Sequence, residues 1–141
     1  MKLKSLFKYG SFTTHSGLTL DWKIDCDCLS DEDIYTISMA SHALLQRIGY
    51  PTSKFIGIPR GGVRLANKMQ SLFGKDDDSP PLIIDDVLTT GTSMKEVMSQ
   101  HHGSKGLVIF ARSPVPIDVV ALFSCNWFAT HSDMSKVTDG W

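Results

Sequence analysis

Residues 82–94 constrain this chain more than any other stretch. The apolar run Leu82-Ile83-Ile84 ends in two adjacent carboxylates, Asp85 and Asp86. A loop of small hydroxyl residues follows, Thr89-Thr90-Gly91-Thr92-Ser93, and then Met94, Val97 and Met98 at helical spacing. This reads as a buried strand, a loop and a helix. In an open parallel sheet, ligands bind outside the carboxyl ends of the strands, which is where Asp85 and Asp86 fall. The loop offers successive backbone N–H groups and hydroxyls at a helix N-terminus, a setting that favours a phosphate dianion. Carboxylates and a phosphate cradle this close repel one another unless a ligand spaces them. A phosphorylated sugar does so, with its hydroxyls on the acids and its 5′-phosphate in the loop. The plainer alternative, polar residues at a strand exit with Ser/Thr capping the next helix, suits a lone Asp-Asp pair better than the whole segment.

The rest of the chain supplies the frame. Residues 11–25 are expected to form two strands about a turn at Ser16-Gly17, with Leu18, Leu20, Trp22 and Ile24 alternating. Ser30 with Asp33 three residues on is a capping-box start. Ile34, Ile37, Ala40, Leu44 and Ile48 then recur at helical spacing, closed by Gly49 and Pro51. Lys54 to Ile58 is a short apolar strand running into the turn Pro59-Arg60-Gly61-Gly62, and Val63, Ala66, Met69 and Phe73 mark the next helix. Gly74 to Pro81 is a polar link, while Gly106–Ala111 and Val119–Phe123 read as two further strands. The link from Arg112 to Asp118 is too short for a helical crossover, so the last strand is expected to be antiparallel or at an edge. Strands alternating with helices indicate an α/β fold with a mostly parallel central sheet flanked by helices.

Composition narrows the function classes. Hydrophobic residues make up 42% and charged residues 21%, ordinary globular values. Fourteen Lys+Arg against fifteen Asp+Glu give a net charge of −1, which makes no electrostatic case for a dedicated nucleic-acid or membrane-surface binder. No apolar run approaches a bilayer span. The basic start Met1–Lys8 is not followed by an apolar stretch, so a signal peptide is not expected. Three cysteines make no disulfide framework, and a reduced, cytoplasmic protein is the expectation. Cys26-Asp27-Cys28 offers two thiolates without a matched second pair, which argues against a metal site. Asp76, Asp77 and Asp78 read as a solvated turn. His101 and His102 are expected to meet helix-terminal carbonyls or solvent. Trp22, Trp127 and Phe128 are expected in the core or at a subunit contact.

The segment from Leu82 to Ser93 resembles the 5-phosphoribosyl-1-pyrophosphate (PRPP) motif of type I phosphoribosyltransferases. The resemblance implies a single domain over 1–141 of that fold class, with a small N-terminal hood over 1–30, a core over 31–125 and a C-terminal segment over 126–141. It implies that Asp85 and Asp86 take the ribose hydroxyls, as the catalytic acids, and that Thr89, Thr90, Gly91, Thr92 and Ser93 take the 5′-phosphate. The same acids would attract the family's Mg²⁺, together with PRPP. Ile58-Pro59-Arg60-Gly61-Gly62 looks like the family's pyrophosphate loop, with Arg60 the counter-charge. Phe12–Gly17 followed by Asp21–Asp25 is similar to the hood of orotate phosphoribosyltransferases. That likeness implies a base site of His15, Ser16, Lys23, Ile24 and Arg112, the last against the orotate carboxylate.

Four departures stand out. His15 occupies a lysine position, Lys23 and Ile24 stand where aromatics are common, Gly61 stands where a basic residue is common, and Ala111-Arg112 replaces Asp-Arg. Gly74–Pro81 also fills the interval in which such enzymes carry a mobile lid hairpin. The expected function is phosphoribosyl transfer from PRPP to orotate or a similar base, with release of pyrophosphate, by a homodimer and without a dedicated general base. The alternatives are a non-catalytic PRPP- or nucleotide-binding protein, or a transferase for a purine base.

Overall fold

The computed structural model describes residues 5–14 and 17–125. A hairpin of β1 (Phe7–Thr13) and β2 (Thr19–Ile24) comes first, then a 3₁₀ turn at Cys26–Cys28 and helix α1 (Asp31–Ile48). After these come β3 (Phe55–Gly57), α2 (Val63–Phe73), β4 (Leu82–Leu88), α3 (Thr92–Ser99), β5 (Lys105–Ala111) and β6 (Val119–Ser124). The last four strands form one sheet in the order β3-β4-β5-β6, parallel throughout.

The sheet is buried on both sides, which explains why its strands are apolar runs rather than alternating ones. Leu82 and Ile84 of β4 and Leu107 and Ile109 of β5 pack with Ile34 and Leu45 of α1 and Leu65 and Met69 of α2. The intervening Ile83 and Val108 pack with Met94 of α3 on the other face. The side-chain period of two thus sorts each strand between two helical layers. Because every strand points the same way, the loops after Gly57, Leu88 and Ala111 gather along one edge of the sheet.

One expectation holds by its second alternative, and two are corrected. The last strand is indeed an edge, but it is parallel to β5, with Gly106 opposite Val119 and Ala111 opposite Ser124. Seven extended residues reach ~23 Å, enough to retrace a seven-residue strand without a helix. Pro114 and Pro116 favour that extended path, and Tyr50 pins it by donating its hydroxyl to the Ile117 carbonyl at 3.0 Å. The first hairpin strand begins at Phe7, ahead of residue 11, and carries a register shift between Tyr9 and Phe12.

The buried stripe of α1 is Ile34, Ser38, Ser41 and Leu45, whereas Ala40 and Ile48 face outward. Serine can replace an apolar residue here because Ser38 Oγ donates to the Ile34 carbonyl within its own helix, at 2.7 Å. The capping box is present as read. Ser30 Oγ accepts from the Asp33 amide at 3.0 Å, and the Asp33 carboxylate accepts from the Ser30 amide at 2.9 Å.

Candidate functional site

The segment 82–94 builds the centre of the site. Asp85 and Asp86, expected at the strand's end, lie inside β4, which continues to Leu88 beside β5. They stand just past its last rung with β3, Gly57 opposite Ile84, and each carboxylate Oδ1 accepts from the next residue's amide at 2.8 Å. These contacts fix both side chains. Burial pushes the Asp85 carboxyl up to about 8, with the adjacent Asp86 carboxyl adding to the rise. Asp85 therefore holds a proton near neutrality when no cation or hydroxyl ligand faces it.

Asp85 shares a pocket of about 120 Å³ with Thr89, Thr90, Gly91, Thr92 and Ser93. Gly91 adopts φ 83° at the N-cap of α3 and has no side chain to cap it. The Thr92 amide alone has a side-chain acceptor, Thr90 Oγ1 at a long 3.4 Å, among the described residues. The contrast with the boxed N-terminus of α1 is informative, because the first-turn amides of α3 have no intrahelical acceptors. Thr90 and Thr92 bring their hydroxyls to 3.0 Å from each other at the pocket wall. Thr14, from the end of the hairpin, also lines this pocket. Thr14 belongs to the Phe12–Gly17 hood segment, where the sequence pointed to His15 and Ser16 and to the base, not to Thr14 and the phosphate pocket.

Asp86 lies toward the second loop. A Cβ on Gly61 would sit within the Asp86 carboxylate, and one on Gly62 would overlap the Ile84 carbonyl oxygen. The two glycines let residues 58–62 lie directly on the end of β4, and Ile58 continues the ladder by donating its amide to Ile84 at 2.8 Å. The Pro59–Arg60 peptide is cis. Arg60 is exposed and pairs with Asp27 Oδ2 at 2.5 Å. Among the described residues its partner is thus an acid of the 3₁₀ turn.

The expected base residues separate. His15 and Ser16 lie outside the described residues. Lys23 sets its ammonium over the Phe12 ring, 4.7 Å from the centroid. Ile24 is buried and lines a different cavity, an apolar groove of about 650 Å³ between the hairpin and the β5–β6 edge.

Arg112 is 1% exposed, with its guanidinium 3.6 Å from the centroid of the Trp22 ring and Nη1 donating to the Trp22 carbonyl at 2.7 Å. Its Nε and Nη2 are buried without hydrogen-bond partners among the described residues, and so is the neighbouring Ser113 Oγ. Burial holds the guanidinium below its ordinary value, with the Cys125 thiol and Asp21 opposing that shift. Trp22, expected in the core or at a subunit contact, is half-buried and covers the one buried arginine. Trp127 and Phe128 lie outside the described residues.

The remaining candidates behave as a thiol and a solvated turn should. Burial, with Asp86 and Asp25 nearby, pushes the Cys26 thiol up to about 12, so it stays protonated. Asp77 accepts from the Ser79 amide at 3.0 Å in an exposed turn. Among the described residues no group of three or more His, Cys, Asp or Glu side chains could hold a metal ion, and no helix is long and apolar enough to cross a membrane.

No protein-family model matches this chain, and no curated protein sequence does. Solved structures do match. The orotate phosphoribosyltransferase of Aeropyrum pernix superposes with a TM-score of 0.60 at 21% identity, over 86% of this chain and 89% of that one. The UMP synthase of Leishmania donovani gives 0.66 at 16% identity, over 94% of this chain and 38% of that one. A purine phosphoribosyltransferase from Pyrococcus horikoshii Ot3 gives 0.55 at 16% identity, over 71% and 87%. A parallel four-stranded sheet between helical layers, with an acid pair and two loops along one edge, is in this chain the fold of the type I phosphoribosyltransferases.

Proposed function

We propose that this chain binds PRPP with Mg²⁺ and transfers its 5-phosphoribose to a planar base bearing a carboxylate, orotate or a close analogue. The observation that carries the reading is the pocket shared by Asp85 and the uncapped start of α3. There a carboxylate and a phosphate cradle meet with room between them. In this reading the 5′-phosphate occupies Thr89–Ser93, the ribose hydroxyls bond to Asp85 and Asp86, and the pyrophosphate lies along 58–62.

Asp85 and Asp86 are hard oxygen donors, which suits Mg²⁺, but two carboxylates do not complete an octahedral shell. The cation would therefore bind with PRPP, whose oxygens and water supply the remaining ligands. Once bound, it would neutralise charge building on the pyrophosphate. The chain's own residues hold C1 of the ribose facing the base. A ring nitrogen of the base forms the new bond to C1 as the C1–pyrophosphate oxygen bond breaks. That electron pair leaves with pyrophosphate, and the ring N–H proton passes to solvent. Positioning and charge stabilisation carry the rate, because no general base is placed.

Arg112 supports the acidic base. A buried guanidinium with unpaired donors costs free energy that a planar carboxylate would recover through paired, charge-assisted hydrogen bonds. A neutral base offers carbonyl or ring-nitrogen acceptors, without the charge and the two-oxygen fit of a carboxylate.

One observation favours a second reading, a PRPP-binding protein without turnover. Residues 74–81 between α2 and β4 form no helix or strand, so nothing in that interval encloses an electrophilic C1. Orotate with Mg²⁺–PRPP, followed by orotate absorbance, separates the two. Absorbance loss with pyrophosphate release supports transfer. Saturable thermal stabilisation by Mg²⁺–PRPP without absorbance loss, repeated across a panel of bases, supports the binder. Absence of any PRPP binding to folded protein overturns both.

A further inference from the structure

We infer that Trp22 is a positioning residue: it clamps Arg112 so that one edge of the guanidinium is preset for a planar anion. The inference rests on the proposed base site and adds what holds its arginine. Three contacts carry it. The indole ring covers the guanidinium face at 3.6 Å, and the Trp22 backbone carbonyl takes Nη1 at 2.7 Å. The two nitrogens left without partners are Nε and Nη2. These are the two donors of a single guanidinium edge, spaced to grip both oxygens of a carboxylate side-on.

An arginine in search of stability would turn that edge to an acid. None of the described carboxylates lies within ion-pair distance of it, although Asp21 is close enough to raise its charge preference. The Trp22 stack and the carbonyl bond together remove the rotation that would let the edge reach Asp21 or water. β2 delivers both restraints from a single residue, so ring and carbonyl act on the guanidinium as one unit. A flexible arginine loses rotamer entropy when it grips a ligand, whereas a clamped one has already lost it. The arrangement thus favours affinity for a carboxylate at this point without adding any contact to the ligand.

Nitrogen-15 spectra of the arginine Nε–H groups test the clamp directly. The chain has four arginines, Arg47, Arg60, Arg64 and Arg112, of which Arg112 alone is buried. Its signal is assigned by loss in Arg112→Lys. The expected result is Nε–H exchange with water at least about tenfold slower than at the other three, accelerated about tenfold or more in Trp22→Leu and retained within about threefold in Trp22→Phe. Exchange in the wild-type chain as fast as at the exposed arginines overturns the clamp without any variant, and so does unchanged exchange in a folded Trp22→Leu.

Orotate titration judges the base reading separately. A shift of the Arg112 signal, with orotate affinity about tenfold weaker in Trp22→Leu and PRPP affinity within about twofold, supports both. A protected Arg112 signal that orotate does not move, in protein that binds PRPP, rejects orotate as the base and leaves the clamp standing.

Discussion

Asp85 is the residue whose environment most alters its chemistry. In the folded chain its carboxyl holds a proton up to about 8, against an ordinary 3.8. The native state then binds more protons than the unfolded state between those values, so stability declines as pH rises from about 4 to about 8 and is flat above. Asp85→Asn is expected to remove that slope, read from thermal melts at several pH values. Binding carries the opposite sign. Ribose hydroxyls and Mg²⁺ favour the ionised form, so Mg²⁺–PRPP affinity should rise with pH from 6 to 8 by up to about tenfold per unit and level off above. Calorimetry across that range checks it, with Asp85→Asn binding weakly and without the trend. Gly61→Ala forces a methyl group onto the Asp86 carboxylate. Overpacking of this kind costs about 1–3 kcal/mol, and the displaced carboxylate should weaken PRPP binding more than it lowers the melting temperature.

At the scale of elements, the two helix N-termini divide structure from function. α1 satisfies its own first turn through Ser30 and Asp33, and α3 does not. Ser30→Ala should therefore cost about 1 kcal/mol, a fall of ~3 °C in melting temperature, with PRPP affinity unchanged. The Ser30 amide holds the Asp33 carboxyl below its ordinary value. The box contributes fully above about pH 4 and is lost as pH falls through the lowered value. The capping box could be read from residues 30–33 because its partners are three positions apart. The phase of α1 could not. Apolarity alone selects Ala40 and Ile48, while tertiary packing buries Ser38 and Ser41, the first bonded to its own helix and the second without a hydrogen-bond partner among the described residues. β6 shows the same limit. The shortness of its connection was plain, but an extended return over Ser113–Asp118 allows the parallel direction that a missing helix argued against.

Across the whole molecule, the hairpin packs chiefly on itself, while β4 and β5 lie sealed between two helical layers. Amide exchange should therefore be slowest in Leu82–Leu88 and Lys105–Ala111, near the global unfolding limit, and markedly faster in Phe7–Thr13. Mg²⁺–PRPP should slow exchange at Thr14 and Thr89–Ser93, which line one pocket. Equal exchange in hairpin and sheet would contradict this division. The sequence by itself determined the strand, the acid pair, the hydroxyl loop and the following helix, because the apolar run, the small-residue loop and the helical spacing that specify them are patterns among residues a few positions apart. Only the tertiary structure decided which donors of Arg112 remain unpaired, because their restraint comes from Trp22, ninety residues away. It also decided that Arg60 rests on Asp27 and that Ile24 faces an apolar groove rather than the acid pocket. Contacts between distant residues are set by how whole elements pack, and local patterning carries no record of that.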